Sequence, residues 1–89
     1  MSGRRFTIRG RVQGVNFRAA AAAEARRLRL RGRIWNREDD AVEAVAAGEE
    51  AALDAFEVWL QRGPPLARVE EVLAEPLASD PPEVAFRVV

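Results

Sequence analysis

Apolar and polar residues alternate from Arg5-Phe6-Thr7-Ile8-Arg9 through to Val12, which places Phe6, Ile8, Gly10 and Val12 on one side. A period of two over that length predicts a half-buried strand, Arg5 to Val12. From Phe17 the pattern changes. The tract Ala19 to Ala23 has high helix propensity, with Ala25 and Leu28 following at core spacing, so Phe17 to Leu28 reads as a helix. Arg33 to Arg37 and Ala41 to Ala47 are extended runs, joined by Glu38-Asp39-Asp40 as a short hairpin connection. Glu49 to Arg62 is the clearest helix. Leu53, Phe56, Trp59 and Leu60 share one face, and Glu49 and Glu50 suit the positive end of its dipole. Gly63-Pro64-Pro65 stops it. Ala67 to Glu75 predicts a fourth strand, in which adjacent Glu70 and Glu71 break the alternation and mark a bulge or an exposed edge. After a loop, Ser79 to Pro82, Val84 to Val89 predicts a final short strand.

The order is therefore strand, helix, strand, strand, helix, strand, and a short extra strand. That is the split βαβ arrangement of a ferredoxin-like α+β sandwich, an antiparallel sheet with two helices on one face. A chain of 89 residues allows one small domain, residues 1–89, with a single modest core. Trp59 belongs to that core. Trp35 alternates away from Ile34 and covers the other face of the sheet.

Composition narrows the chemistry. Cysteine and histidine are both absent, which removes disulfides, a thiolate nucleophile and a histidine base. Zinc would have carboxylates alone, so neither metal nor cofactor is expected. Met1-Ser2-Gly3-Arg4-Arg5 has no apolar stretch behind it, unlike a secretory leader. No apolar run approaches the roughly 20 residues that span a bilayer. The expectation is a soluble cytoplasmic protein without a membrane partner. Its net charge of zero hides an asymmetry: residues 1–37 hold eleven arginines and one acid, Glu24 (+10), while residues 38–89 hold three arginines and thirteen acids (−10). The plain expectation is that the two halves neutralise each other on folding, with Arg26, Arg27, Arg29, Arg31 and Arg33 as a solvated face.

One segment stands apart. Gly10-Arg11-Val12-Gln13-Gly14-Val15-Asn16-Phe17-Arg18 joins the first strand to the alanine-rich helix. A strand, a glycine-bearing turn and a helix start in quick succession turn backbone N–H groups and the positive end of a dipole toward one point, which suits a phosphate. The candidate cradle is Val12, Gln13, Gly14, Val15, Asn16 and Phe17. Arg18, in the first helical turn, adds a fork of donors for the same anion. By spacing alone, an ordinary turn followed by an exposed arginine accounts for the segment equally well. Further on, Gly32-Arg33-Ile34-Trp35-Asn36 ends in an asparagine that could orient water or simply close a strand.

Together these two segments resemble the acylphosphatase family, whose signature reads roughly G-x-V-Q-G-V-x-F-R followed by a strand ending in asparagine. The likeness continues through Glu43 to Gly48, Gly63-Pro64-Pro65, Ala67-Arg68-Val69 and Phe86-Arg87-Val88, nearly the whole chain. It implies the same ferredoxin-like fold and a small monomer that hydrolyses acyl phosphates to carboxylate and inorganic phosphate. In that family the motif arginine binds the phosphoryl group and the asparagine positions water, roles that fall on Arg18 and Asn36. Three departures lie off those positions. Asp40 follows Asp39 where the family usually has glycine, Arg29 stands where a helix-ending glycine is common, and the tryptophan of the second strand comes two places late, as Trp35.

The residues on offer match the demands of that reaction. Hydrolysing an ordinary phosphate ester expels an alkoxide whose conjugate acid has a pKa of about 16, whereas an acyl phosphate releases a carboxylate of pKa about 4. Positioning and charge stabilisation then suffice without a general acid. The main alternative is a non-catalytic or regulatory domain of the same fold that binds a phosphate-bearing ligand. A ferredoxin-like RNA-binding module would place stacking aromatics on its central strands. Here the first strand offers Phe6 alone and the third none, so no nucleic acid is expected.

Overall fold

The computed structural model describes residues 2–89. Seven elements follow in the expected order: β1 (Ser2–Arg11), α1 (Phe17–Arg27), β2 (Arg31–Asn36), β3 (Val42–Gly48), α2 (Glu50–Arg62), β4 (Arg68–Pro76) and β5 (Phe86–Val88). They build one five-stranded sheet in the order β4-β1-β3-β2-β5. The pairs β1–β3, β1–β4 and β2–β3 are antiparallel, and β5 joins the edge of β2 in parallel. The four-stranded antiparallel centre is the ferredoxin-like arrangement, and the fifth strand makes the sheet mixed.

The apolar positions picked out by alternation meet in one core. Phe6, Ile8 and Val12 of the first strand and its extension lie beneath Leu53, Phe56 and Leu60 of α2 and Phe17, Ala21, Ala22 and Ala25 of α1. Phe56 is its centre, meeting Phe6 edge-on at 5.6 Å and Phe86 at 5.8 Å, so one ring ties β1, α2 and β5 together. Such aromatic pairs add about 0.5–1.5 kcal/mol beyond the area they bury. Trp59 packs against the margin of the core, edge-on to Phe17 at 5.9 Å.

β1 begins at Ser2 rather than Arg5, because Gly3 and Arg4 continue the ladder against Ala47 and Ala46 of β3. On β4 the break at Glu70-Glu71 is a bulge. Arg9 faces Glu71, but the next residue, Gly10, faces Val69, so Glu70 is left over. The bulge dictates glycine opposite it. At Gly10, φ is 131°, and a Cβ would lie 2.2 Å from the Arg68 carbonyl oxygen.

The opposite charges of the two halves meet across the sheet. Arg4 reaches Glu50, Asp54 and Glu57 of α2; Arg9 and Arg37 reach Asp39; Arg5 and Arg37 both hold Glu43. Arg31 and Arg33 differ from the solvated face expected of them. Both are half-buried, and they fasten the β4–β5 loop over the face of the sheet that the helices leave free. Arg31 donates to the Pro81 carbonyl at 2.6 Å and to Asp80 at 2.9 Å, while Arg33 takes both Glu83 oxygens at 3.2 Å. Trp35 lies on this face too, with the Arg33 guanidinium 5.3 Å from its ring centre.

Helix α1 ends in a Schellman motif. The Leu30 amide donates to Ala25 and the Arg29 amide to Arg26, with Leu30 buried. The residue this motif sets in the left-handed region is Arg29, at φ 60°. A side chain there costs about 1 kcal/mol relative to glycine. Arg29→Gly should therefore stabilise the protein by about that amount, a rise of roughly 4–8 °C in melting temperature for a domain of this size. Thermal melts followed by circular dichroism check this, and an unchanged or lower midpoint would contradict the strain assigned to Arg29.

Candidate active site

The turn between β1 and α1 is anchored from within. Val12, Val15 and Phe17 point into the core, 1 %, 8 % and 1 % exposed, while the residues between them carry the unusual backbone. Gly14 has φ 74° and Asn16 φ 64°, with Val15 between them outside the left-handed region. Residues of alternating hand turn successive N–H groups toward one side, the geometry of an anion nest. No neighbouring atom lies within 4 Å of where a Gly14 Cβ would be, so only conformation requires glycine there. Asparagine is among the few residues that reach this region at modest cost, which accounts for Asn16.

Asn16 is the N-cap of α1, yet its side chain makes no capping hydrogen bond. Among the described residues, the amides of Gln13, Gly14, Val15, Asn16 and Phe17 donate to no backbone carbonyl. A helix start whose N-cap side chain leaves its amides free, at the positive end of the dipole, is a ready anion site. Arg18 stands beside it in the first turn, partly exposed, with Nη1 donating to the Val89 main-chain oxygen at 3.2 Å.

Asn36 closes β2 and is exposed, paired in register with Val42. The sheet brings it to the α1 N-terminus although eighteen residues separate it from Arg18. One cleft of about 180 Å³ is lined by Val12, Gly14, Asn16, Phe17, Arg18, Ala19, Asn36 and Val88. That is below the range of about 300–1,000 Å³ typical of sites that enclose a whole small molecule. It suits a phosphoryl-sized group with the remainder of its ligand outside. Among the described residues, no Asp or Glu side chain lines it.

Of the cradle residues read from the sequence, Val12, Gly14, Asn16 and Phe17 reach the cleft; Val15 serves as an anchor beneath it. Gln13 turns its side chain the other way, Nε2 donating to the carbonyls of Arg37 at 2.9 Å and Ala41 at 3.0 Å. Ala19 and Val88 line the cleft without having been picked out. Val88 arrives there only through the parallel pairing of β5 with β2, for which no local pattern speaks.

With this geometry in view, relatives can be compared. The acylphosphatase family model matches residues 4–88. The chain belongs to the acylphosphatase family. It is 48 % identical over 83 residues to the acylphosphatase of Xanthomonas oryzae pv. oryzae, covering 93 % of this chain and 94 % of that one. It is 55 % identical over 65 residues to the acylphosphatase of an Anaeromyxobacter species, covering 73 % of this chain and 70 % of the other. The crystal structure of the Bacillus subtilis acylphosphatase superposes with a TM-score of 0.95 at 35 % identity, over 100 % of this chain and 99 % of that one. No helix among the described residues is long and apolar enough to cross a membrane.

The hairpin after Asn36 carries ion pairs of its own. Asp39 accepts from Arg9 at 3.1 Å, Arg37 at 3.0 Å and the Ala41 amide at 3.4 Å. Burial pushes its carboxyl up, but the Arg9 hydrogen bond, the Ala41 amide and the charges of Arg37 and Arg9 outweigh this and hold it below the ordinary aspartate range. A lowered folded-state pKa adds stability that is complete above the unfolded value of about 4 and is lost as pH falls through the folded one. Asp39→Asn should therefore lower the melting temperature at pH 7 and change it much less at pH 2. Equal shifts at the two pH values would show that the charge of Asp39 contributes nothing.

Proposed function

We propose that Arg18 and the amides of residues 12–17 hold the phosphoryl group of an acyl phosphate while Asn36 orients the attacking water. The activity itself follows from the family: the chain hydrolyses acyl phosphates to a carboxylate and inorganic phosphate. What supports the residue roles is one coincidence. An uncapped helix start, an arginine with guanidinium nitrogens to spare and a strand-end asparagine share a phosphoryl-sized cleft that no Asp or Glu side chain lines.

The chemistry asks little of the protein. The water oxygen attacks phosphorus, the bond from phosphorus to the acyl oxygen breaks, and the carboxylate leaves with the electron pair. A phosphoryl oxygen takes the proton of the water. Since the leaving group is a weak base, no general acid is required. The equatorial oxygens carry the negative charge of the transition state, and Arg18 with the nest amides would stabilise it. The Asn36 amide can accept from the water and donate to a substrate oxygen, which aligns attack without making a stronger nucleophile. No metal or cofactor enters this scheme.

We read the protein as a cytoplasmic monomer of one domain that acts on a small molecule and not on nucleic acid. Seven of the eleven arginines of residues 1–37 are engaged with carboxylates, which leaves little free positive surface for a polyanion.

A pair of variants tests the division of labour. Arg18→Gln should weaken inhibition by inorganic phosphate and reduce benzoyl phosphate turnover about a hundred- to thousand-fold, some 3–4 kcal/mol. Asn36→Ala should cut turnover sharply with phosphate inhibition unchanged. Near-normal turnover by folded Arg18→Gln, or loss of phosphate binding in Asn36→Ala, would refute the assignment. The pH profile tests the absence of a protein base. With no histidine and no lysine in the chain, and Asp39 displaced away from neutrality, saturated turnover should be nearly flat between about pH 6 and 8. A limb near neutrality that disappears when Asp39 or Glu43 is replaced would instead identify an enzyme-supplied base.

A further inference from the structure

The side chain of Gln13 reaches out of the phosphate cradle to the hairpin that follows Asn36. Its Nε2 donates to the Arg37 carbonyl at 2.9 Å and to the Ala41 carbonyl at 3.0 Å. Those two residues are the feet of the hairpin, closed by the Arg37 amide on the Ala41 carbonyl at 2.8 Å. Both hydrogens of one neutral amide are thus committed to the same turn, across sequence separations of 24 and 28 residues. Two carboxylates of the hairpin region are engaged with arginines: Asp39 with Arg9 and Arg37, Glu43 with Arg5 and Arg37.

Asn36 immediately precedes Arg37, so the placement of its amide depends on where that hairpin lies relative to the nest. We infer that Gln13 is a positioning residue, coupling the backbone that holds the phosphoryl group to the strand end that holds the water. The inference rests on the role given to Asn36 above. Reaction geometry is sensitive to displacement of about 1 Å, which can cost on the order of a hundred-fold in rate. A staple between the two halves of the site therefore acts on turnover rather than on anion affinity.

Three variants test this, with thermal melts to establish that each is folded. Gln13→Met keeps the length and removes both donors; it should lower kcat for benzoyl phosphate roughly ten- to hundred-fold and leave inhibition by inorganic phosphate unchanged. In an Asn36→Ala background the same substitution should change kcat by less than about two-fold, since nothing is left to position. Gln13→Glu supplies a second, independent readout. A carboxylate facing two carbonyls cannot donate, and its pKa is raised, so its kcat should recover on acidification while the parent profile stays flat. Equal losses from Gln13→Met with and without Asn36, loss of phosphate inhibition, or full activity of both Gln13 variants would overturn the inference. If Asn36→Ala itself turns over normally, the role of Asn36 is what fails. If Asn36→Ala is inactive and the Gln13 variants are not, only the coupling fails.

Discussion

The backbone between β1 and α1 must be rigid while giving its N–H groups to nothing within the protein, and the rest of the molecule serves that requirement. Backbone donors are normally paired, and leaving several unpaired in one place is unfavourable unless solvent or an anion reaches them. Val12, Val15 and Phe17 hold the turn by burying apolar side chains beneath it, an anchorage that uses none of the amides above. A capping serine or aspartate in place of the unengaged Asn16 side chain would satisfy a donor and occupy the site. On the proposed reading, the local instability of an uncapped helix is a condition of having a binding site. It is offset by the Schellman end of α1 and the packing of Ala21, Ala22 and Ala25.

The proposed site, made of amides, one guanidinium and one carboxamide, holds no side chain of the kind that ordinarily titrates near neutrality. Asp39 and Glu43, which follow Asn36 in the hairpin and in β3, are held by arginines. Such a site can stabilise charge and fix geometry but cannot deliver a proton to a poor leaving group. Acyl phosphates, whose carboxylate departs unaided, lie within that limit and alkyl phosphates outside it. On the proposed reading, selectivity for the reaction class comes from what the cleft lacks as much as from what it holds.

Much of this was legible in the sequence because local patterns carried it. Period two in residues 5–12 and the Leu53-Phe56-Leu60 face fixed strand and helix without reference to anything distant. The paired glutamates 70 and 71 marked the bulge that Gly10 accommodates. Arg18 and Asn36 were legible together only through the family likeness, since spacing alone left each with an ordinary explanation. What stayed hidden depends on which segments meet in space. Arg31 and Arg33 look like a solvated run until the β4–β5 loop crosses the sheet and requires donors for its carbonyls. Val88 enters the cleft because β5 pairs in parallel with β2. The side chain of Gln13 sits within the motif, yet nothing in the motif says that it faces the hairpin rather than the anion.

Among the described residues, three non-glycine residues occupy the left-handed region, and comparing them shows how one backbone conformation can mean different things. Asn16 at φ 64° belongs to the cleft, where its amide and its neighbours are the useful atoms and a small polar side chain is well tolerated. Asp40 at φ 70° lies in the β2–β3 hairpin, next to the Ala41 whose amide reaches the Asp39 carboxylate and whose carbonyl receives Gln13. Arg29 at φ 60° only ends a helix. Strain at Arg29 can be relieved without consequence for the cleft, because nothing there depends on it. Glycine at position 16 would keep the angle but loosen the backbone whose order the nest requires. The same change is thus a stabilisation at one end of α1 and a loss of preorganisation at the other. What distinguishes the two ends is whether free amides must be held in place.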